Sequence, residues 1–234
     1  MAIKEIQYAG HSAVIIKTEN SVIAIDPWLA DNPSCPAELK SPEKIDLIVL
    51  THGHSDHAGG VAKLATNLNS KVCASFELAN LLQKDGVPAE NLIHVNTGGK
   101  ITFAEIEVSF EQAIHSSSYE TATGAQYAGA CLSVILKDSK TTIFHASDTA
   151  LFTDMKMIGE KYQADYAFLP IGDVFTMGAK DAAIAAKWLQ CKTAIPIHYD
   201  TFPLLTGTAE EFTNECKKQE VNCKILTPGG TINL

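Results

Sequence analysis

Residues 51–57 read THGHSDH, three histidines and an aspartate in one short run, and they follow the apolar stretch Leu47, Ile48, Val49, Leu50. Imidazole and carboxylate suit a borderline divalent metal such as zinc, and one ion cannot easily take all four groups from so short a segment. Side chains alternate along an extended chain, so His52 and His54 point the same way and can share an ion. Asp56 and His57 are adjacent, so the backbone must turn before both can face a neighbouring ion. Gly53 supplies freedom early in that turn. The spacing reads as two metal positions side by side.

A buried strand over residues 45–50 has to deliver this motif. Before it, residues 3–8, 13–17 and 22–25 read as strands, the last two joined by a turn at Glu19 and Asn20. His11, between the first two, stands at a strand end from which it can reach a site built of loops. Asp26 closes the third strand, either as an acceptor for a metal-bound imidazole or as a turn former. Pro33, Pro36 and Pro42 mark an irregular loop. After the motif, the spacing of Val61, Leu64, Ala65 and Leu68 predicts a helix over 58–68. A strand at 71–75, a helix at 76–84 and a strand at 92–95 follow; His94, in the last, has no second ligand nearby in sequence.

Further on, 101–103 and 106–110 predict a hairpin that continues into Ala113, Ile114 and His115, with 116–129 as a loop over a site. Strands at 131–136 and 141–144 lead to His145 and Asp148; an acid at the end of a buried strand needs a compensating partner. A helix at 153–162, a strand at 166–169 and a helix at 179–189 come next. The connection GDVFTMG at 172–178 carries Thr176. It either offers backbone N–H groups to an anionic substrate or is an ordinary strand-to-helix link. The strand 193–197 delivers His198. Thr208 with Glu211 predicts a capping box for a helix ending near Gln219, and 223–226 and 231–233 read as closing strands.

HxHxDH after a buried strand resembles the metallo-β-lactamase superfamily, and the likeness runs from Gly10, His11, Ser12 to Pro228, Gly229, Gly230. The resemblance implies an α/β fold, a four-layer αββα sandwich formed by 1–234 as a single metallo-hydrolase domain. It implies that His52, His54 and His115 hold one ion, that Asp56, His57 and His198 (in PIHYD) hold the other, and that Asp148 bridges them. Zinc fits such ligands best, while manganese, iron and nickel also suit them. Two such cations lower the pKa of a shared water from about 15.7 toward roughly 7, and the hydroxide attacks a carbonyl or phosphoryl centre. Asp56 is the catalytic residue in this scheme, and His11 and Thr176 belong to the substrate pocket. The nearest likeness is to compact metal-dependent hydrolases of the UPF0173 type, similar to ascorbate-6-phosphate lactonases and phospholipid phosphodiesterases. A small phosphodiester, lactone or ester is the expected substrate. Gly60, where many relatives have Asp, and Ala179, where close relatives often have Pro, depart from the pattern. A metal-binding sensor or complex component without turnover is the competing class.

Composition bounds the rest. With 234 residues, 46% hydrophobic and 19% charged, the chain can bury a full core. The net charge is -9 and all 18 basic residues are lysine. Lacking the arginine fork, the chain is not expected to bind nucleic acid, though a small anionic substrate remains allowed. Six cysteines without a CxxC pair read as reduced thiols. No apolar run is long enough to insert in a membrane and MAIKEIQYAG reads as a strand, so a cytoplasmic protein is expected, with a symmetric homo-oligomer allowed.

Overall fold

The computed structural model describes residues 2–234. Strands β1 (Ile3–Gly10), β2 (Ala13–Thr18) and β3 (Val22–Ile25) form an antiparallel meander. Strands β4 (Leu47–Val49), β5 (Lys71–Ser75) and β6 (Leu92–Val95) extend it in parallel. Helices α1 (Ser55–Ala58) and α2 (Val61–Leu68) connect β4 to β5, and α3 (Phe76–Lys84) connects β5 to β6. The second half supplies β7 (Lys100–Phe103), β8 (Ile106–Gln112), a separate hairpin of β9 (Ser118–Thr121) and β10 (Gly124–Tyr127), then β11 (Leu132–Lys137) and β12 (Thr142–His145). Helix α4 (Met155–Tyr162), β13 (Tyr166–Pro170), α5 (Ala179–Trp188), β14 (Thr193–Ile197), α6 (Ala209–Gln219) and β15 (Thr231–Asn233) complete the order. One sheet runs β15-β1-β2-β3-β4-β5-β6 and the other β14-β13-β12-β11-β8-β7.

The strand period of two sorts the core into layers. Leu47 and Val49 face a central cluster shared with Val108, Phe110, Val134, Phe168 and Ile197 of the other sheet. Ile48 and Leu50 face the opposite way, against Val61 and Ala65 of α2 and Leu78 and Leu82 of α3. On the far side, Phe144, Ala167 and Leu169 pack on Met155 of α4, the alanines of α5 and Phe212 of α6. Helix, sheet, sheet, helix: this is the expected αββα sandwich. Covered on both faces, β4 is apolar at every position, which is why it reads as a run rather than an alternation.

Four expectations need correction. The helix expected over 58–68 starts only at Val61: Ala58 ends the separate helix α1, and Gly59 with ψ 126 and Gly60 with φ 74 take the chain off the helical path between them. The strand expected to run on to His115 stops at Gln112, and the expected loop at 116–129 contains the β9–β10 hairpin. Residues 223–226 form no strand; Cys223 makes a single bridge to Ala194. Of the capping box expected at α6 one half forms, with Thr208 Oγ1 accepting from the Glu211 N–H at 3.2 Å.

Candidate metal centre

Every candidate donor stands where a strand of either sheet has just ended. The chain leaves β4 through Thr51, sets out His52 and His54, and turns into α1, which carries Asp56 and His57. His115 lies beyond β8, Asp148 beyond β12, and His198 directly after β14. The motif also needs its glycine. The Gly53 N–H donates to Ser117 Oγ at 3.2 Å, and a Cβ there would lie 2.8 Å from the Ser118 carbonyl oxygen and the Ala128 methyl. The β9–β10 hairpin therefore rests on the motif itself.

The donor atoms gather in two groups. His54 Nδ1 is 3.0 Å from His52 Nε2 and 3.3 Å from His115 Nε2. In the second group, His198 Nε2 lies 3.6 Å from Asp56 Oδ2, and His57 Nε2 lies 4.0 Å from Asp56 Oδ1. Asp148 Oδ2 touches both groups, at 3.1 Å from His198 Nε2, 3.3 Å from His57 Nε2 and 3.7 Å from His115 Nε2. One ligand atom per residue lies within 4.8 Å of the others in each set, with His11 joining the second.

Hydrogen bonds decide which nitrogens are free to bind. Asp26 accepts from the Thr51 N–H at 2.8 Å and from the Thr51 hydroxyl at 2.6 Å, and His57 Nδ1 lies 2.8 Å from the same Oδ2. A neutral His57 thus keeps its proton on Nδ1 and turns a bare Nε2 to the centre. Thr51 Oγ1, having given its proton to Asp26, accepts from His52 Nδ1 at 3.0 Å, which leaves His52 Nε2 bare as well. Asp26 also lies within ligand distance of His52 and His57, but its oxygens are occupied by these donors. Of the two roles open to Asp26, the acceptor is the one its contacts describe.

A divalent cation fits the remaining atoms. His57 Nε2, both ring nitrogens of His198 and Asp148 Oδ1 are buried and make no hydrogen bond. Buried polar atoms are nearly always paired, so a cluster of unpaired donors facing one another calls for a cation. The electrostatics point the same way. Burial opposes charge on His57, yet Asp148 and Asp26 outweigh it and hold its pKa well above the usual value. Against the same burial, Asp148 and Asp56 raise His198 to about 9. Protons there do the work a metal would do. Burial keeps His52 well below the ordinary imidazole pKa and lowers His54 and His115, so the first group is neutral and ready to coordinate. Backbone strain collects here too: His11, Asp26 and His198 take φ of 56, 45 and 56, at roughly 1–3 kcal/mol each.

Two expected pocket residues are placed differently. His11 is fully buried behind Asp56, with no face toward solvent, so it does not line a pocket. Thr176 turns its hydroxyl to the Met177 carbonyl, and the N–H groups of Asp173, Val174, Thr176 and Met177 are committed to carbonyls, so the 172–178 loop is no anion cradle. His145 is buried between the Ser12 carbonyl and the Ser147 N–H, and His94 is exposed beside Asn80. The sequence reading missed Thr51 and Thr201; Thr51 stands in the motif, while nothing in the sequence marks Thr201. A cleft of about 510 Å³ opens beside His115, lined by Gln112, Ile114, Ser116, Tyr127 and other uncharged residues.

The family model for a beta-lactamase superfamily domain matches residues 22–199, from β3 through His198. The chain belongs to the beta-lactamase superfamily. Within it, the chain falls among the UPF0173 metal-dependent hydrolases: those of Bacillus mycoides strain KBAB4 and Bacillus cereus strain AH187 are each 44% identical, over 98% of this chain and 99% and 100% of theirs. Among solved structures, Igni18, a metallo hydrolase of the archaeon Ignicoccus hospitalis, superposes with a TM-score of 0.86 at 30% identity, covering 100% of this chain and 99% of its own. The metallo-beta-lactamase fold protein YhfI of Bacillus subtilis shares the fold at 14% identity, with a TM-score of 0.72 over 99% and 100% of the two chains.

Proposed function

We propose that this protein hydrolyses a small ester, lactone or phosphodiester at a pair of adjacent divalent ions. The single observation that carries the reading is the convergence of unpaired, buried imidazole and carboxylate atoms on one spot between the two sheets. His52, His54 and His115 would hold one ion, Asp56, His57 and His198 the other, with Asp148 shared. Zinc suits the donors best, with manganese, iron and nickel as alternatives. Bound there, such ions supply Lewis acidity: they make a water acidic near neutral pH and stabilise negative charge developing on the substrate. Asp56 is the group that can take the water's proton, since its side chain keeps 26% of its surface open while Asp148 keeps 3%. Burial works against charge on Asp56, but the hydrogen bond from His11 and the nearby imidazoles of His198 and His57 hold its carboxyl well below the usual range, so it stays ionised.

The cleft beside His115 offers the substrate its resting place. With no charged side chain in its lining, it favours an uncharged group there, and any anionic group is left to the metal side. Unpaired thiols throughout the described residues suit a reducing, cytoplasmic setting. The test is hydrolysis of bis(p-nitrophenyl) phosphate, a lactone and a p-nitrophenyl ester by metal-stripped protein refilled with zinc or manganese. Metal-dependent turnover of one class supports the proposal and names the bond. Two ions bound with no turnover of any class would make this a metal-binding sensor or complex component instead.

A further inference from the structure

His11 stands among the atoms of the second metal position, yet its bonding sets it apart from them. Both its nitrogens are engaged: Nε2 lies 3.1 Å from Asp56 Oδ2, and Nδ1 lies 2.9 Å from Thr201 Oγ1. His57 Nε2 and His198 Nε2, a few ångströms away, are buried without a hydrogen bond. An imidazole nitrogen that donates its proton to a carboxylate has no lone pair to offer a cation. The direction of the chain follows from its end. A carboxylate accepts only, so Nε2 must carry the ring proton and donate to Asp56. Nδ1 is then an acceptor and takes the Thr201 proton, the Tyr199 carbonyl being the longer alternative at 3.2 Å.

Everything around His11 fixes that ring. Its carbonyl accepts from the His198 N–H at 2.8 Å and from the Tyr8 hydroxyl at 3.0 Å, which holds the left-handed backbone at φ 56. Its ring lies 4.0 Å from that of His198 and within 5.5 Å of Trp28 and Phe202. Asp56, by contrast, sits in the first turn of a four-residue helix with part of its surface open, and its other imidazole neighbours stand farther off, His198 Nε2 at 3.6 Å and His57 Nε2 at 4.0 Å. We infer that His11 is a positioning residue, not a ligand: with Thr201 behind it, it pins Asp56 Oδ2 and so fixes the carboxylate at the second metal position. This rests on the two-position reading above.

The test pairs two variants that share the backbone problem but differ in reach. In His11→Gln the amide nitrogen can stand where Nε2 stands; in His11→Asn it stands nearer Nδ1, and Asn tolerates positive φ better than most residues. Zinc uptake is measured on refilled protein by calorimetry and by elemental analysis, beside a thermal melt. His11→Asn should bind the first ion as the wild type does and the second about 10–100-fold more weakly, the usual effect of losing a hydrogen bond to a ligand. His11→Gln should recover most of that loss. Equal, wild-type binding by both variants would reduce His11 to packing. Loss of the second ion from both, with no rescue, would make it a ligand. A wild type that takes up one ion only would refute the two-position reading itself, and with it the position His11 serves.

Discussion

Asp26→Asn is the substitution that puts the most weight on the hydrogen-bond accounting. Asn keeps the shape and tolerates the positive φ of 45 at this position. Its carbonyl can still accept from the Thr51 N–H, but an NH2 replaces the Oδ2 that now serves Thr51 Oγ1 and His57 Nδ1 at 2.6 and 2.8 Å. Both contacts then reverse. The NH2 donates to His57 Nδ1, which drives the ring proton to Nε2, the atom aimed at the metal. It also donates to Thr51 Oγ1, whose hydroxyl swings to His52 Nδ1 at 3.0 Å and protonates His52 Nε2 in turn. One buried amide thus blocks a ligand in each metal position. Losing such support weakens metal binding about 10–100-fold per site, or ~1.4–2.7 kcal/mol each. Two charge-assisted bonds at ~1.5–3 kcal/mol apiece become neutral ones at ~0.5–1.5 kcal/mol, a net cost of ~2–3 kcal/mol to the fold. For a chain of this size that lowers Tm by about 4–12 °C. Competition with a chromophoric chelator gives both zinc affinities, and melts with and without zinc give the stability. An Asp26→Asn protein that binds two zinc ions as tightly as the wild type would refute the tautomer argument, whatever its Tm.

Three further outcomes are expected. Asp56→Ala should lose at least ~100-fold in kcat, the low end for a proton acceptor, and its melt should fall as well, because a proposed ligand is gone and the buried His11 Nε2 loses its acceptor; a folded variant with near-normal rate would remove Asp56 from the mechanism. In metal-free protein, His198 titrates from an ordinary 6.5 up to about 9, so its stabilising pairing with Asp148 is complete below pH 6.5 and is lost as pH rises toward 9. The burial-lowered histidines are neutral across that window. The metal-free Tm should therefore fall from pH 6.5 to 9, and zinc affinity at the second position should rise over the same range as fewer protons must leave; a flat zinc titration would contradict the assigned donor. Gly53→Ala has to push Ala128 and the Ser118 carbonyl from 2.8 Å contact, at about 1–3 kcal/mol, so it should lower both Tm and turnover; a variant unchanged in both would mean the hairpin does not rest on the motif.

The motif was legible because its chemistry is local. Seven consecutive residues carry both the ligand types and the turn between the two proposed positions, and the short apolar run before them fits a strand covered on both faces, as β4 is. His115, Asp148 and His198 were legible only through the family resemblance, since nothing within a few residues of any of them reveals a partner more than thirty residues away. The misplaced elements share a cause. Gly59 and Gly60 leave the helical path just ahead of an apolar spacing that starts at Val61, and His11 and Thr176 were judged by the loops they stand in. Whether a loop side chain faces the site or its own backbone depends on contacts such as His11 to Thr201, 190 residues apart, and no local pattern contains them.

The distribution of donors over the two sheets says what the metal position is for in the fold. His52, His54, Asp56 and His57 follow a strand of the first sheet; His115, Asp148 and His198 follow strands of the second. Each proposed ion therefore takes ligands from both sheets, across the seam that the central apolar cluster fills from below. The same seam is tied without metal by the His198 N–H to the His11 carbonyl and by His145 Nε2 to the Ser12 carbonyl at 2.8 and 2.9 Å. Those bonds keep the strand ends in register, so the donors can converge before any ion arrives. Ions binding across the seam then add their own free energy to the docking of one sheet on the other, by about 2.7 kcal/mol at a hundredfold excess over Kd. Site and fold are coupled through that seam: a substitution in the central cluster that tilts one sheet should move three donors together and loosen both proposed metal positions at once.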